Sequence, residues 1–230
     1  MKRLKFLLSI GQRMVSDMLT QQETLQAIQA IEKLIPNPQS DLQYDDPFHL
    51  LVAVILSAQT TDKAVNQIMP ALMKTYGNSE LMSKARPQDI EPYIQTIGLF
   101  RNKAKYLVKM SQQLQENFNG QVPHTRKELQ SLSGVGRKTA NVVLSVAFNQ
   151  PAFAVDTHVE RITKRLRMVP QDANPTQIEK IMMQKLPESW WIRAHQLLVL
   201  FGRYHSTAST KECAELIGME DIVNASSINE

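Results

Sequence analysis

Apolar residues return at every third or fourth position along most of the chain, which is the period of an α-helix with one buried face. The pattern predicts helices over residues 21–35, 47–57, 64–76, 87–97, 102–118, 126–132, 138–148, 157–167 and 188–203, with a further helix starting after residue 174. Residues 49–57 are apolar on nearly every side, so this helix is predicted to be central and buried. The two-residue alternation typical of a half-buried strand is not sustained, and we therefore predict an all-α fold.

Local signals refine two of these helices. Pro70 lies inside the predicted helix 64–76, where a proline produces a kink or a break. Thr157 and Glu160 have the spacing of a capping box, in which two side chains satisfy the free N–H groups of a helix start. The box predicts that Asp156 lies at the very beginning of its helix.

The composition is that of an ordered globular protein. A chain of 230 residues with 43% hydrophobic residues can bury a proper core. Cys213 is the only cysteine, which excludes an internal disulfide and any all-cysteine metal site. No apolar run reaches the length of a transmembrane helix.

The first residues are a poor match to a signal peptide. Residues 1–10 have a basic head, but their apolar run is very short and polar residues follow it. Translation could begin at Met14 or Met18, and residues 1–17 would then be an N-terminal extension.

Basic residues are concentrated in one segment of a chain whose net charge is only +4. Residues 126–167 contain eight Lys and Arg residues against three Asp and Glu residues. Such an excess favours an interaction with nucleic acid, because phosphates attract clustered cations. Taken alone, it is equally typical of a solvated basic helix face.

The strongest motif lies between the predicted helices 126–132 and 138–148, where the sequence Leu-Ser-Gly-Val-Gly-Arg-Lys-Thr-Ala occupies residues 132–140. Gly134 and Gly136 can adopt a positive φ or allow another backbone to approach closely. A tight hairpin here would direct consecutive N–H groups outward at the start of a helix, where the helix dipole is also positive. The stretch therefore predicts a phosphate-binding site.

This stretch resembles the helix-hairpin-helix of the DNA base-excision glycosylases, and most closely that of the endonuclease III family. The resemblance includes Ala-Val-Asp-Thr-His-Val at 154–159, Leu-Ser-Ala-Gln-Thr-Thr-Asp at 56–62 and Ile-Gly-Leu-Phe at 97–100. It extends from about residue 25 to about residue 204, which is most of the chain.

The resemblance implies a fold of two helical lobes. Residues 40–150 would form a six-helix barrel that contains the hairpin, and residues 18–39 with 151–230 would form the second lobe. Lys138 and Asp156 would face each other across the cleft between them.

The resemblance also implies the catalytic residues. Lys138 would attack C1′ of the damaged deoxynucleotide, expel the base and form a Schiff base that allows strand cleavage by β-elimination. The start of a helix, together with partial burial, would favour its neutral amine. Asp156 would stabilise the positive charge that develops on the sugar and accept a proton. The structural alternatives are a phosphate-contacting lysine and a helix N-cap, and Asp156 could fill both roles. We interpret the nearby His158 as structural.

Six further residues would contact DNA. By the resemblance, Gln59 and Leu99 would fill the space left when the damaged base leaves the duplex, while the hairpin would bind phosphates through Gly134, Val135, Gly136 and Arg137. From the residues alone, Gln59 is equally an ordinary loop glutamine and Leu99 a half-buried leucine.

The chain departs from the family at its C-terminus. Endonuclease III usually carries four cysteines that hold a [4Fe–4S] cluster, spaced C-x6-C-x2-C-x5-C after a Gly-Arg-Tyr sequence. Here those positions fall on Ser206, Cys213, Leu216 and Ile222. Three of these side chains cannot bind iron as thiolates, so we expect no iron–sulfur cluster and no other metal or cofactor. Leu216 and Ile217 are expected to pack where the cluster would lie.

The function that follows is a base-excision repair DNA glycosylase with lyase activity, removing oxidised pyrimidines from duplex DNA. Its partner would be double-stranded DNA with damaged bases or abasic sites, bound by a monomer in the bacterial cytoplasm at the nucleoid. One alternative is an adenine glycosylase of the same superfamily, which generally lacks the lysine and carries a large extra C-terminal domain. Another is a non-catalytic helix-hairpin-helix protein, which would need neither Lys138 nor Asp156.

Overall fold

A computed structural model describes residues 18–209 and 213–225; the proposed N-terminal extension 1–17, with its alternative start at Met14, lies outside the described residues. All regular secondary structure in the described residues is helical, which confirms the all-α prediction. These residues form two compact units, one from Ser40 to Ala154 and one that joins the residues up to Gln39 to those from Val155 onwards. Within the described ranges, no helix is both long enough and apolar enough to cross a bilayer.

The α-helices, in chain order, are α1 (Gln21–Leu34), α2 (Pro47–Leu56), α3 (Asp62–Tyr76), α4 (Ser79–Ser83), α5 (Pro87–Ile94), α6 (Phe100–Phe118), α7 (Arg126–Ser131), α8 (Arg137–Phe148), α9 (Thr157–Arg165), α10 (Pro175–Lys185), α11 (Trp191–Tyr204) and α12 (Glu220–Ala225). Two 3₁₀ turns occupy Glu188–Trp190 and Glu215–Ile217.

Side chains just before the helices satisfy their free N–H groups. Thr20 and Glu23 form a capping box at the start of α1, where the Thr20 N–H donates to Glu23 Oε2 at 2.7 Å. Asp46 caps α2 by accepting the N–H of His49 at 2.8 Å, and Pro47 follows in the first turn. These local caps explain why the helix starts are readable from the sequence.

Helix α2 is the centre of the unit Ser40–Ala154. Every side chain from Leu50 to Leu56 is at most 3% exposed, which confirms the prediction of a central buried helix. Helix α2 packs against α6 and α8, and α6 also packs against α4 and α5. The long helix α6 therefore contacts most of the unit, and it runs beside the hairpin and the two loops discussed below.

The other unit is built on α11. Its buried face, which includes Leu197, Leu198 and Phe201, packs against α1 and α9. Helix α10 packs against α1 and α9 in turn. This arrangement fixes the start of α9, where Asp156 lies.

Two local predictions require correction or refinement. Pro70 does not break its helix, because α3 runs without interruption from Asp62 to Tyr76. The predicted capping box of Thr157 and Glu160 is wrong, because the N-cap of α9 is Asp156 itself.

Candidate nucleic-acid interface and catalytic residues

The hairpin between α7 and α8 is a tight turn in which the two glycines have different roles. Gly134 adopts φ +80°, and a Cβ at this position would lie 2.9 Å from the Cβ of Tyr106 on α6. Gly136 has an extended backbone, with φ −87° and ψ 179°, and a Cβ there would meet nothing within 4 Å. Gly134 is therefore required by the turn itself, whereas Gly136 keeps the surface in front of α8 open.

The burial of Val135 and two hydrogen bonds from Gln113 hold the turn in place. The Val135 side chain is only 6% exposed, and its N–H donates to the carbonyl oxygen of Leu132 at 3.2 Å. Gln113 of α6 bonds both sides of the turn: its Nε2 donates to Ser131 O at 3.0 Å, and its Oε1 accepts the N–H of Ser133 at 2.7 Å. We therefore assign Val135 to holding the turn in place, not to a side-chain contact with a ligand.

Helix α8 begins directly after the turn. Its N-cap is Gly136, which provides no side-chain cap for the free N–H groups of the first turn. Arg137 and Lys138, the first two residues of the helix, are both exposed. The helix start therefore combines backbone donors and the positive end of the helix dipole with two exposed cationic side chains, and these features favour phosphate binding.

The exposure of Lys138 differs from the expected partial burial. The position of Lys138 in the first turn of α8 agrees with the prediction.

Asp156 caps α9 with a single oxygen. Its Oδ1 accepts the N–H groups of His158 and Val159, both at 2.9 Å. The side chain is half-buried, and the cap does not use Oδ2. The cap therefore holds the Asp156 side chain in one orientation through Oδ1 and does not occupy Oδ2, so the cap and the catalytic role are compatible.

His158 has structural surroundings. A Cβ at Gly202 of α11 would lie 2.9 Å from the Cβ of His158, so α9 packs closely against α11 at this residue. Burial lowers the pKa of His158, and Asp156 acts in the opposite direction. Arg161 lies within 3.3 Å of its Nδ1. These contacts support the structural interpretation of His158.

Gln59 and Leu99 share an uncommon backbone conformation. Both are exposed and adopt the left-handed region, with φ +55° for Gln59 and +58° for Leu99. Leu99 is 56% exposed, so the half-buried alternative does not apply. A Cβ at Gly98 would lie 3.8 Å from the carbonyl oxygen of Gln59, so the two loops are neighbours. The structure thus brings together the two residues predicted to enter the DNA stack.

A buried lysine supports these two loops. Lys103 of α6 is 2% exposed, and its Nζ donates to Leu56 O at 2.9 Å and to Thr60 Oγ1 at 2.8 Å. The sequence analysis missed Lys103, although it lies in line with the apolar residues Leu107 and Leu114 of the buried face. A cation in an apolar stripe is a signal that could have identified it.

The basic excess of residues 126–167 is partly structural. Arg161 and Arg165 donate to backbone carbonyl groups within residues 202–208, at distances from 2.7 to 3.1 Å. Lys164 pairs with Glu160 at 2.6 Å on the same helix. The charge count therefore overstates the cationic surface available to nucleic acid.

The four positions aligned with cluster-binding cysteines carry side chains in different surroundings. Ser206 is fully buried and hydrogen-bonded to the thiol of Cys213, which is 3% exposed. Burial raises the pKa of Cys213, which opposes the thiolate that iron requires. Leu216 is 39% exposed, so the prediction that it packs inward is wrong. Ile222 is half-buried.

Other residues fill the interior of this tail. Met219 and Val223 are 6% and 5% exposed, so these two apolar residues are buried and Leu216 is not. Within residues 18–209 and 213–225, no group of three or more His, Cys, Asp or Glu side chains could hold a metal ion.

The sequence and the fold both match known repair proteins. Residues 52–188 match the family described as HhH-GPD superfamily base excision DNA repair protein. Endonuclease III of Bacillus subtilis (strain 168) is 45% identical over 185 residues, covering 80% of this chain and 84% of that protein.

Two solved structures share the fold at high similarity. A trapped endonuclease III–DNA covalent intermediate, an estranged-adenine complex, matches with a TM-score of 0.83 and 42% identity, covering 85% of this chain and 92% of that one. A non-covalent endonuclease III–DNA complex matches with a TM-score of 0.84 and 41% identity, covering 88% and 95%.

Proposed function

The chain belongs to the HhH-GPD superfamily of base excision DNA repair proteins, and we propose that it removes oxidised pyrimidines from duplex DNA. Its endonuclease III relatives and the endonuclease III–DNA complexes that share its fold make it a base-excision repair DNA glycosylase with lyase activity that binds DNA. The choice of lesion and the roles of individual residues are the proposed part.

One observation carries the assignment of the site. Gly134 to Gly136 form a turn that leads directly into the start of α8, which has no side-chain cap, and Lys138 lies exposed in the first helical turn. A phosphate bound at this helix start would place the adjoining sugar beside the lysine amine. Reactants held in this way react faster than reactants that must first meet in solution. Arg137 would contribute a charge-assisted bond to the same backbone.

Lys138 acts as the nucleophile in the proposed reaction. Its neutral amine forms a bond to C1′ while the glycosidic bond breaks and its electron pair leaves with the base. Opening of the sugar ring gives an imine between Lys138 and C1′. Loss of a proton from C2′ then breaks the C3′–O bond, and the strand is nicked by β-elimination.

Asp156 assists the release of the base. The carboxylate stabilises the positive charge that builds up on the sugar as the base departs, and it accepts a proton from the attacking amine. Support for this role comes from the cap of α9, which fixes the side chain through Oδ1 and does not use Oδ2.

Gln59 and Leu99 are proposed to enter the duplex where the base leaves the stack. Extrusion of a base costs a few kcal/mol of lost stacking and pairing, and side chains that fill the gap offset part of this cost. The exposed, neighbouring and left-handed positions of the two residues support the proposal.

We propose that the protein works without an iron–sulfur cluster. The single, buried cysteine and the buried serine bonded to it do not fit a four-thiolate site. The chemistry above needs no electron transfer and uses only side chains of this chain. We further propose that the protein acts as a monomer in the bacterial cytoplasm, which light scattering on the purified protein and imaging of a tagged chain would test.

The decisive experiment uses short duplexes that each carry one defined lesion. The proposal expects release of oxidised pyrimidines such as thymine glycol, followed by nicking, and no release of adenine opposite 8-oxoguanine. Borohydride should convert the imine into a stable protein–DNA adduct. Adenine release without an adduct would contradict the proposed substrate class and favour the adenine-glycosylase alternative.

A further inference from the structure

Lys103 is a buried cation with no place in the chemistry described above. It lies in the first turn of α6 and is 2% exposed, and burial lowers the pKa of its amine. Lysine is among the residues least often buried, so its position requires compensating contacts. The two acceptors of its Nζ lie on either side of Gln59: Leu56 O at the end of α2, and Thr60 Oγ1 in the loop that follows it.

The first contact completes the end of a helix. Leu56 is the last residue of α2, and its carbonyl group is one of those that have no partner within the helix. The negative end of the helix dipole also favours a cation at this point. Lys103 therefore satisfies the last carbonyl group of α2, just before the loop that contains Gln59.

The second contact fixes the turn itself. The N–H of Thr60 donates to Ser57 O at 3.1 Å, and this turn places Gln59 just before Thr60. The Thr60 hydroxyl accepts from Lys103 and lies 3.4 Å from the carbonyl oxygen of Ala58. The lysine thus holds both the beginning and the end of the segment that presents Gln59.

The same residue reaches Leu99 through its backbone. The Lys103 N–H donates to Leu99 O at 3.0 Å, which forms the first bond of α6. Leu99 and Gln59 both have a positive φ, a conformation that costs about 1 kcal/mol or more for a non-glycine residue and persists only where its surroundings enforce it. Lys103 therefore bonds to both loops.

We propose that Lys103 is a positioning residue that holds Gln59 and Leu99 in one fixed arrangement for entry into the DNA stack. This inference rests on the proposed role of those two residues as the groups that fill the vacated space. An apolar side chain of similar length could occupy the same volume, but it could not bond the carbonyl group and the hydroxyl together. Without those bonds the two loops would no longer share a support. The resulting loss of binding affinity would appear only with DNA in which a base is missing from the stack.

The test compares two duplexes that differ only in a central position, one intact and one with a stable abasic analogue opposite 2-aminopurine. Lys103→Met keeps the length of the side chain and removes the donors. It should weaken binding to the abasic duplex about tenfold, and reduce the change in 2-aminopurine fluorescence, while affinity for the intact duplex stays within about twofold. Lys105→Met is the matched control, because Lys105 lies exposed on the same helix, and it should change neither measurement.

Two variants at Thr60 test the same contact if Lys103→Met fails to fold. Thr60→Val preserves the shape but removes the acceptor, so it should shift the abasic preference in the same direction. Thr60→Ser preserves the hydroxyl and should retain the preference. Unchanged abasic preference in both Lys103→Met and Thr60→Val would overturn the proposal, as would an equal loss of affinity for both duplexes.

The outcome is separable from that of the proposed function. The abasic duplex contains no base to release, so a wrong lesion class leaves this comparison intact. A wild-type protein that binds both duplexes equally would refute the gap-filling role of Gln59 and Leu99, and with it the role of Lys103, even where lesion release is observed.

Discussion

The Cβ of Tyr106 lies 2.9 Å from the place where Gly134 would carry a Cβ, so α6 closes the hairpin on its inner side. Gly134 also has φ +80°, a conformation that an L-residue with a side chain adopts only under strain. Gly136, two residues later, has neither constraint. Substitutions at the two glycines are therefore predicted to differ in their effects on stability and on DNA binding.

Gly134→Ala should destabilise the fold by about 2 kcal/mol, because the added methyl group meets Tyr106 and the backbone strain adds to this clash. Thermal unfolding would report it as a lower Tm. Gly136→Val should lower Tm much less than Gly134→Ala. Valine is a poorer N-cap than glycine, but the extended backbone accepts a β-branched residue and its side chain enters open space. It should nevertheless weaken binding to every duplex alike, since it obstructs the approach of a phosphate. Unaltered affinity for Gly136→Val would remove the hairpin from the interface.

DNA binding should weaken steeply as salt increases, because each phosphate contact releases condensed counterions. Arg137→Met should reduce the slope of log affinity against log salt by about one, the value for one lost phosphate contact. Lys84→Met is a suitable control, since Lys84 is already paired with Glu80 at 2.6 Å on its own helix. An identical slope for Arg137→Met and the wild type would exclude Arg137 from the contact.

The purified protein should be colourless and free of stoichiometric iron. This expectation follows from Ser206, Leu216 and Ile222 at three of the four cluster positions, and from the raised pKa of the buried Cys213. Metal analysis and a visible absorption spectrum measure it directly. Cys213→Ser should retain DNA cleavage, whereas a brown protein that loses iron and activity in this variant would contradict the proposal.

The helices could be read from the sequence because their signals are local. Thr20 with Glu23, and Asp46 with Pro47, specify helix starts within four residues of chain. The glycine spacing of the hairpin is equally local. The error at α9 arose between two adjacent candidates, Asp156 and Thr157, both of which are good N-caps.

The supports of the candidate site could not be predicted in the same way, because they join residues far apart in the sequence. Gln113 bonds the hairpin from 20 residues away, and Lys103 bonds Thr60 across 43. The helical period of the sequence places Gln113 and Lys103 on α6, but it does not indicate which residues they bond. The tail shows the same limit, because the hydrophobicity of Leu216 does not reveal that its side chain is exposed.

Asp156→Asn should separate the two roles of this residue. Asparagine caps a helix about as well as aspartate, so Tm should change little, whereas Asp156→Ala should cost about 1 kcal/mol of stability. Loss of the carboxylate should slow base release about a hundredfold while leaving some nicking at sites that already lack a base. Single-turnover assays on lesion and abasic duplexes distinguish these effects. A full rate of base release in Asp156→Asn would show that the carboxylate serves only as a cap.

Lys138 has a structural alternative, a simple phosphate contact, and two substitutions separate it from the nucleophile. Lys138→Gln removes both the charge and the amine. Lys138→Arg keeps a permanent cation that can contact phosphate, but its guanidinium stays protonated and cannot attack C1′. Because Lys138 is exposed, both variants should fold with a stability within about 0.5 kcal/mol of the wild type.

The nucleophile assignment predicts that both variants lose all borohydride trapping on an abasic duplex, and all base release. Binding should separate them, since Lys138→Arg keeps the charge that Lys138→Gln loses, and only the glutamine variant should show a shallower salt dependence. The covalent step requires an amine in the first turn of α8, beside the phosphate held by the hairpin, and no other cation at that point can replace it. Trapping that persists in Lys138→Arg would place the covalent bond on another residue.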